Sequence, residues 1–523
     1  MRQVDPPRPA RAPGSRRPSA IAAMAIALLG AGQAAAATFT VTNTNDSGAG
    51  TLRAAIIAAN KNPGQDTIAF NIAGAGPHAI AVASSLPGIN DPVLIDGYTQ
   101  PGAAVNTGAI GSNAAIRIEL VGPATVGVSS LTLLVGSTGS TIRGLAINRF
   151  SGSQINVTAG GTNCVITGNF IGTDPGGTIG YPSTPGSRTG INVGGAGCRI
   201  GGASRADRNV IAGLSGTGVF VSNENVAIQG NLIGTTRTGG AALGNSCGIS
   251  VGASTPTPGA PVISNLLIGG ENAGALTARN VISGNTRCGI ELYSVQDSDI
   301  QGNIIGLAAF PIAAIANVGP GIAVYRGRRV LIGAVTVGEN SNIIGGNTGP
   351  GVLVTGPAGN TEGSQDVMVV GNFIQTNAGL DIDLGVNAAN GVTANDPLDA
   401  DTGPNTLQNF PELTGVTYSA SQTTITGRLQ SEPSRLYFID VYSATSCHPS
   451  GHGGAAAYLG FASTTTNAAG LGTFTLVLDE LVDEGFATAT ATAGPALIGP
   501  TSEFSTCLKL GDVIFADGFQ PPP

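Results

Sequence analysis

The 523-residue chain has no tryptophan, only 4% aromatic residues and only 10% charged residues. So little charge excludes a disordered chain, which would be polar and highly charged. It also excludes a coiled coil, which would be rich in Glu, Lys and Arg. Lysine occurs only at Lys61 and Lys509, and the formal net charge is −8. Nucleic-acid binding needs clustered positive charge, so that class is excluded as well. Beyond residue 37 no apolar run is long enough to cross a bilayer as a helix. The 81 glycines follow no strict three-residue period, which rules out collagen. What is present is 41% hydrophobic residues broken by glycine, the composition of a chain of many short strands and tight turns.

Residues 1–37 read as an export signal. Arg2, Arg8, Arg11, Arg16 and Arg17 precede an apolar run, 21–29, too short to span a membrane, and the small residues Ala35 and Ala37 suit signal peptidase. The product is expected to be secreted or displayed at the cell surface.

Internal repeats decide the architecture. A Gly-aliphatic-x-aliphatic phrase begins at Gly190, Gly218, Gly248, Gly289, Gly321 and Gly351, preceded by a variant at Gln154 and followed by one at Asp381. The steps from Gly190 are 28, 30, 41, 32, 30 and 30 residues, and the long one contains a TPTPGAP insertion. Further phrases recur inside the repeats: VITGNFIG at Val165, AIQGNLIG at Ala227, DIQGNIIG at Asp299, and RNVIAG and RNVISG at Arg208 and Arg279. Each repeat holds two or three strands of about four alternating residues, too short for strand–helix units. Such a period marks a solenoid. The expected fold is all-β: a parallel β-helix of about nine coils from Leu131 to Leu384, with Ile166, Ile228 and Ile300 stacked inside. Asn169, Asn231, Asn303 and Asn372 follow Gly at matched places. They are expected to take left-handed corner conformations and to stack as a hydrogen-bonded ladder. The stretch Thr51–Asn60 reads as an amphipathic helix, with Leu52, Ala55, Ile56 and Ala59 on one face, serving as a lid on the first coil. After Pro411, seven alternating runs between Glu412 and Leu508 read as a small immunoglobulin-like β-sandwich.

The segment FTVTNTNDSGAGTLRAAIIAANKNPGQDTIAFNIAG resembles the opening of a family of bacterial secreted right-handed parallel β-helix repeat proteins, as does LPGINDPVLIDGYTQPG at Leu86. The GNFIGTD and RNVISGN coils and GPNTLQNFPELT at Gly403 resemble later parts of that family. The resemblance implies a right-handed coil, an extracellular place and a C-terminal immunoglobulin-like module. It implies no reaction and no catalytic residues. The expected organisation is a signal at 1–37, a cap and first coils at 38–128, the β-helix at 129–410, the sandwich at 411–508 and a tail at 509–523.

All six cysteines lie beyond the signal, where disulfides are allowed. Cys447 and Cys507 bracket the sandwich and are expected to bridge. Cys247 with Cys288, and Cys164 with Cys198, hold matched places in consecutive repeats, about 4.8 Å apart if stacked. Each of these pairs is either a bridge or two stacked thiols. Asp381, Asp383, Asp396, Asp399 and Asp401 are close in sequence, and hard carboxylates suit a structural calcium. Their plain alternative is a solvated acidic end to the last coil. Glu291, Tyr293 and Asp299 in one repeat, with Arg326 in the next, form the best catalytic group in a charge-poor coil, with surface decoration as the alternative. The expected function is a non-catalytic, monomeric scaffold for adhesion or carbohydrate binding, whose partner is a polysaccharide or another cell-surface ligand. No cofactor is required. The rival is a polysaccharide lyase, hydrolase or epimerase working near Glu291, Tyr293, Asp299 and Arg326.

Overall fold

The computed structural model describes residues 35–123, 125–181, 189–253, 262–270, 276–335, 338, 340–356, 363–385, 391–419, 421–494 and 499–511. Residues 1–34 of the signal, the TPTPGAP insertion and most of the tail lie outside the described residues. The chain forms a parallel β-helix with three long sheets. Sheet A has 12 strands from Thr38–Val41 to Gln365–Val370, and sheet B has 10 from His78–Ala81 to Phe373–Gln375. Sheet C has 9, from Leu131–Leu133 to Ile382–Gly385. Crossovers between parallel strands of one sheet are right-handed by strong stereochemical preference, the sense the family resemblance implies.

The register explains why so short a repeat holds. Ile142, Ile166, Ile200, Ile228, Ile268, Ile300 and Ile332 pair rung by rung in sheet A, and all are at most 1% exposed. One coil alone could not bury these side chains, whereas stacking removes each from water on both sides. Burying each contributes roughly 1.5–3 kcal/mol. Helix α1, Leu52–Ala59, lays Leu52, Ala55, Ile56 and Ala59 on the same core. Thr51 caps its start by accepting from the Ala54 N–H at 3.2 Å.

The asparagines stack, but not in the left-handed region. Positive φ falls on the preceding glycine instead: 64° at Gly168, 70° at Gly230, 61° at Gly302 and 60° at Gly371. This leaves Asn169, Asn231, Asn303 and Asn372 free to point inward. With Asn209, Asn280 and Asn342 they form a buried ladder, each side-chain amide passing a hydrogen bond to the next rung at 2.9–3.3 Å. Left-handed asparagines occur at another corner, at Asn163, Asn225 and Asn265. A second buried ladder runs Asn245, Asn285, Asn317, Asn347, Asn377 and ends on Asp381 at 2.8 Å.

The C-terminal domain consists of two antiparallel sheets. One orders the strands Glu412–Tyr418, Thr423–Gln430 and Leu471–Leu478; the other orders Ala457–Thr465, Leu436–Ala444, Phe486–Ala493 and Leu508–Lys509. The last strand is shorter than the sequence run from Glu503 suggests, because Glu503 turns to the β-helix, accepting from the Leu384 N–H at 2.9 Å, while the Ser502 and Ser505 hydroxyls break the ladder by accepting from the Ala491 and Ala489 N–H groups. The domain seals the open end of the solenoid. Tyr442, Ala455 and Phe504 join the β-helix core. Ile374 and Ala455 exchange both backbone bonds, and Tyr442 Oη accepts from the Gly371 N–H at 3.1 Å.

All six cysteines are bridged: Cys164–Cys198, Cys247–Cys288 and Cys447–Cys507, with Cα separations of 4.5, 4.7 and 6.3 Å. The first two join neighbouring rungs, where stacking already sets the distance.

Candidate functional site

The three outer faces of the coil differ in access. On sheet B the outward residues Ala146, Phe170, Val210, Leu232, Val281 and Ile304 are in register and apolar. They lie under a roof. Three small hairpins closed by Thr173–Gly180, Thr235–Ala242 and Leu307–Ala314 join edge to edge through Arg237 N–H to Gly177 O and Ala309 N–H to Gly239 O. An early segment, 104–115, extends this roof. Arg237 holds it through Ser112 O and Ala114 O, and Arg208 holds it through Ile110 O and Gly111 O.

On sheet C the outward row is half-buried at Thr132, Asn156, Asn192 and Phe220, then buried from Ser250 through Glu291, Ala323, Leu353 and Asp383. Among the described residues, sheet A alone keeps an open row along its length. Thr67, Leu94, Thr141, Val165, Arg199, Ala227, Leu267, Asp299 and Leu331 are all half-buried and in register, and only Met368 at the end is buried. At ~4.8 Å per rung the open row from Thr67 to Leu331 is about 38 Å long.

The expected catalytic group divides between faces. Glu291 and Tyr293 lie side by side on strand Cys288–Tyr293 of sheet C. Asp299 is on strand Val295–Gln301 of sheet A, and Arg326, at φ 60°, is in the corner after Ile322–Tyr325. Glu291 receives Arg287 through both carboxylate oxygens, at 2.8 and 2.5 Å, and accepts from Tyr293 Oη at 3.3 Å. Tyr293 stacks on Tyr325 of the next rung, with ring centroids 4.5 Å apart and planes 10° apart. Burial, then the Glu291 charge, pushes the Tyr293 phenol well above its ordinary range, so it stays protonated. The group can donate hydrogen bonds and offer an aromatic edge.

The expected calcium ligands also divide. Asp396, Asp399 and Asp401 place one oxygen each within 4.8 Å of one another. Asp399 is buried and accepts from Ser431 Oγ at 2.5 Å and the Asn409 N–H at 3.1 Å. Burial pushes its carboxyl up to about 6, and the charges of Asp401 and Asp396 add to this. Asp401 Oδ1 is buried with no hydrogen-bond partner among the described residues. This arrangement fits a hard cation with oxygen ligands. Asp381 instead ends the second asparagine ladder, and Asp383 faces Glu503 and the Gly391 N–H. His448 and His452 are part of the domain junction: His452 Nδ1 lies 2.7 Å from Phe504 O.

No protein-family model and no curated protein matches the chain. Among solved structures, the A-module of the Azotobacter vinelandii mannuronan C-5 epimerase AlgE6 is similar at 15% identity and TM-score 0.43, covering 66% of this chain and 89% of that one. Pectate lyase Pel9A is similar at 11% identity and TM-score 0.29, covering 70% and 84%. The enzymatically active domain of bacteriophage CBA120 tailspike protein 2 is similar at 11% and 0.26, covering 88% and 76%. At these scores the likenesses carry no argument about substrate or mechanism. The fold rests on the chain's own parallel ladders.

Proposed function

We propose that this chain is an exported scaffold that binds an extended polysaccharide or other cell-surface ligand along the open face of sheet A, without turning it over. The observation that carries this reading is the row of in-register side chains on sheet A, about 38 Å long, that no described residue covers, since a repeating surface suits a repeating polymer. The state of the expected catalytic group supports binding over chemistry. Glu291 is held by Arg287 on both oxygens, the Tyr293 phenol is kept protonated, and Asp299 is on another sheet. A general base must reach the proton it removes and be free to take it. Export is supported by the three disulfides. No described helix is long and apolar enough to cross a membrane.

Affinity chromatography on immobilised neutral and uronic-acid glycans, with parallel assays for unsaturated products and new reducing ends, tests the reading. Retention without turnover is expected, and Leu267→Glu on the open face should abolish it. Turnover lost in Asp299→Asn or Arg326→Ala would overturn it in favour of a lyase, hydrolase or epimerase. Asp396, Asp399 and Asp401 are proposed to hold a structural calcium where the last coil meets the C-terminal domain. Calcium should raise the melting temperature, and Asp401→Asn should remove that gain.

A further inference from the structure

Among the described residues the C-terminal domain has four edge strands, and two of them are unguarded. Strand Ala457–Thr465 ends one sheet and Leu471–Leu478 ends the other, so each has one edge with no strand partner among the described residues. Neither strand holds a charged residue or a proline. Edge strands usually carry such residues, are very short or are covered, because free N–H and C=O groups template pairing with another chain. The other two edges of the domain follow that rule. Leu508–Lys509 is two residues long, and Glu412–Tyr418 carries Glu412, ion-paired with Arg428 at 2.6 Å.

The two unguarded strands meet where Thr464 Oγ1 donates to Thr473 O at 2.9 Å. Past that bond a bulge leaves Leu459 out of the pairing with Leu436–Ala444, which bends its strand locally. A cleft of about 500 Å³ lies open there, with Leu459, Phe461, Leu476 and Val477 in its walls and Asp479 and Glu480 at its rim. Phe461 is 59% exposed and Val477 53%. Asp479, Glu480, Asp483 and Glu484 are all exposed. Asp479 accepts from a neutral donor, Gln422 Nε2, at 2.9 Å.

We propose that this cleft takes up an extended segment of another, basic protein. The segment adds a strand to the free edge of Ala457–Thr465, sets alternate apolar side chains against Phe461 and Val477, and brings a lysine or arginine to Asp479 and Glu480. In such strand addition main-chain bonds supply affinity, and pockets for alternate side chains supply selectivity. From Leu459 to Thr464 the free edge is ~17 Å long, room for about five residues. Charge decides the occupant. A second copy pairing through the same edge would bring its own Asp479 and Glu480 to an acidic rim, and residues 512–523 carry Asp512 and Asp517 but no cation. A basic strand instead meets opposite charge. The cleft belongs to the C-terminal domain and is independent of the open face of sheet A.

Fluorescence anisotropy of a labelled, end-blocked peptide, Lys-Val-Thr-Val-Thr-Val-Lys, titrated with the full chain, tests this. Saturable binding in the micromolar range is expected. Glutamate in place of both lysines should weaken it by about tenfold, as should proline in place of the central valine, which removes an N–H from the ladder. Phe461→Ser, at an exposed position, should also weaken it by about tenfold. Glu480→Lys should remove the preference for the lysine peptide over the glutamate peptide, an effect that a folding defect would not produce. Absence of saturable binding, equal binding of the proline peptide, or an unchanged charge preference in Glu480→Lys would each overturn the proposal. Binding seen only after removal of residues 512–523 would give the cleft to the tail, and self-association lost in Phe461→Ser would give it to a second copy; either result would overturn the proposal too.

Discussion

Replacing Asn231 tests whether the buried amide ladder, and not only the isoleucine stack, holds the coils in register. Its side chain is fully buried and makes four bonds. Nδ2 donates to Ile200 O at 2.9 Å, Gln229 O at 2.9 Å and Asn280 Oδ1 at 3.0 Å, while Oδ1 accepts from Asn209 Nδ2 at 2.9 Å. Asn280 Oδ1 keeps a second donor, the Asn231 N–H at 3.0 Å, and Asn209 Nδ2 keeps Ile166 O at 2.8 Å. Gln229 O keeps the Gly202 N–H at 2.8 Å, so the carbonyl that bears the loss in Asn231→Leu is Ile200 O. At roughly 1–3 kcal/mol for a buried group left unsatisfied, the expected loss is about 1–3 kcal/mol. The control is Asn156→Ala, which removes an outer-face bond from Asn192 Nδ2 at 2.7 Å. That pair is half-buried, and its loss should stay within about 0.5 kcal/mol. Urea unfolding of the oxidised chain, followed by circular dichroism, measures both. A loss below about 1 kcal/mol in Asn231→Leu would refute the ladder as a source of stability.

Ile228→Ala should cost about 2–5 kcal/mol in the same assay, because the stacked neighbours Ile200 and Ile268 cannot collapse into the gap. Alkylation without reduction should label no cysteine, and a labelled pair would contradict the bridges. Deleting residues 411–523 should expose the last coil beneath Tyr442 and Phe504 and cause aggregation, seen by size-exclusion chromatography; a soluble monomer would argue against the seal. Asp440 is buried and accepts from Tyr458 Oη at 3.0 Å, and burial pushes its carboxyl from 3.8 to about 6. Its folded pKa thus exceeds its unfolded one, so its contribution is full below about 4 and is lost as pH rises through about 6. Asp440→Asn should flatten this loss, giving a protein that is the more stable of the two above pH 6 in thermal melts at graded pH.

Much of the coil was legible because its code is local. An inward isoleucine, an outward polar residue and a glycine corner lie within one short phrase, and each phrase meets only its copies one rung away. The same locality placed Cys247 opposite Cys288 before any coordinates. The second ladder is legible too: Asn245, Asn285, Asn317, Asn347 and Asn377 stand three or four residues ahead of the recurring Gly or Asp. The left-handed corners fall on the glycine one residue before each asparagine, a choice the sequence leaves open because either residue tolerates that region.

What only the tertiary structure decided is non-local. Which face stays open depends on the segment near Ile110 reaching across about a hundred residues of sequence to Arg208. The charged group near Glu291 was dispersed because a coil turns a corner between Tyr293 and Asp299, carrying neighbours in sequence onto different sheets. The five aspartates parted for a similar reason: Asp381 and Asp383 belong to the last rung, and Asp396, Asp399 and Asp401 to the connection that follows it. The seal formed by Tyr442 and Phe504 has no signature in either repeat or sandwich, because burial at an interface is a property of two surfaces and not of one strand.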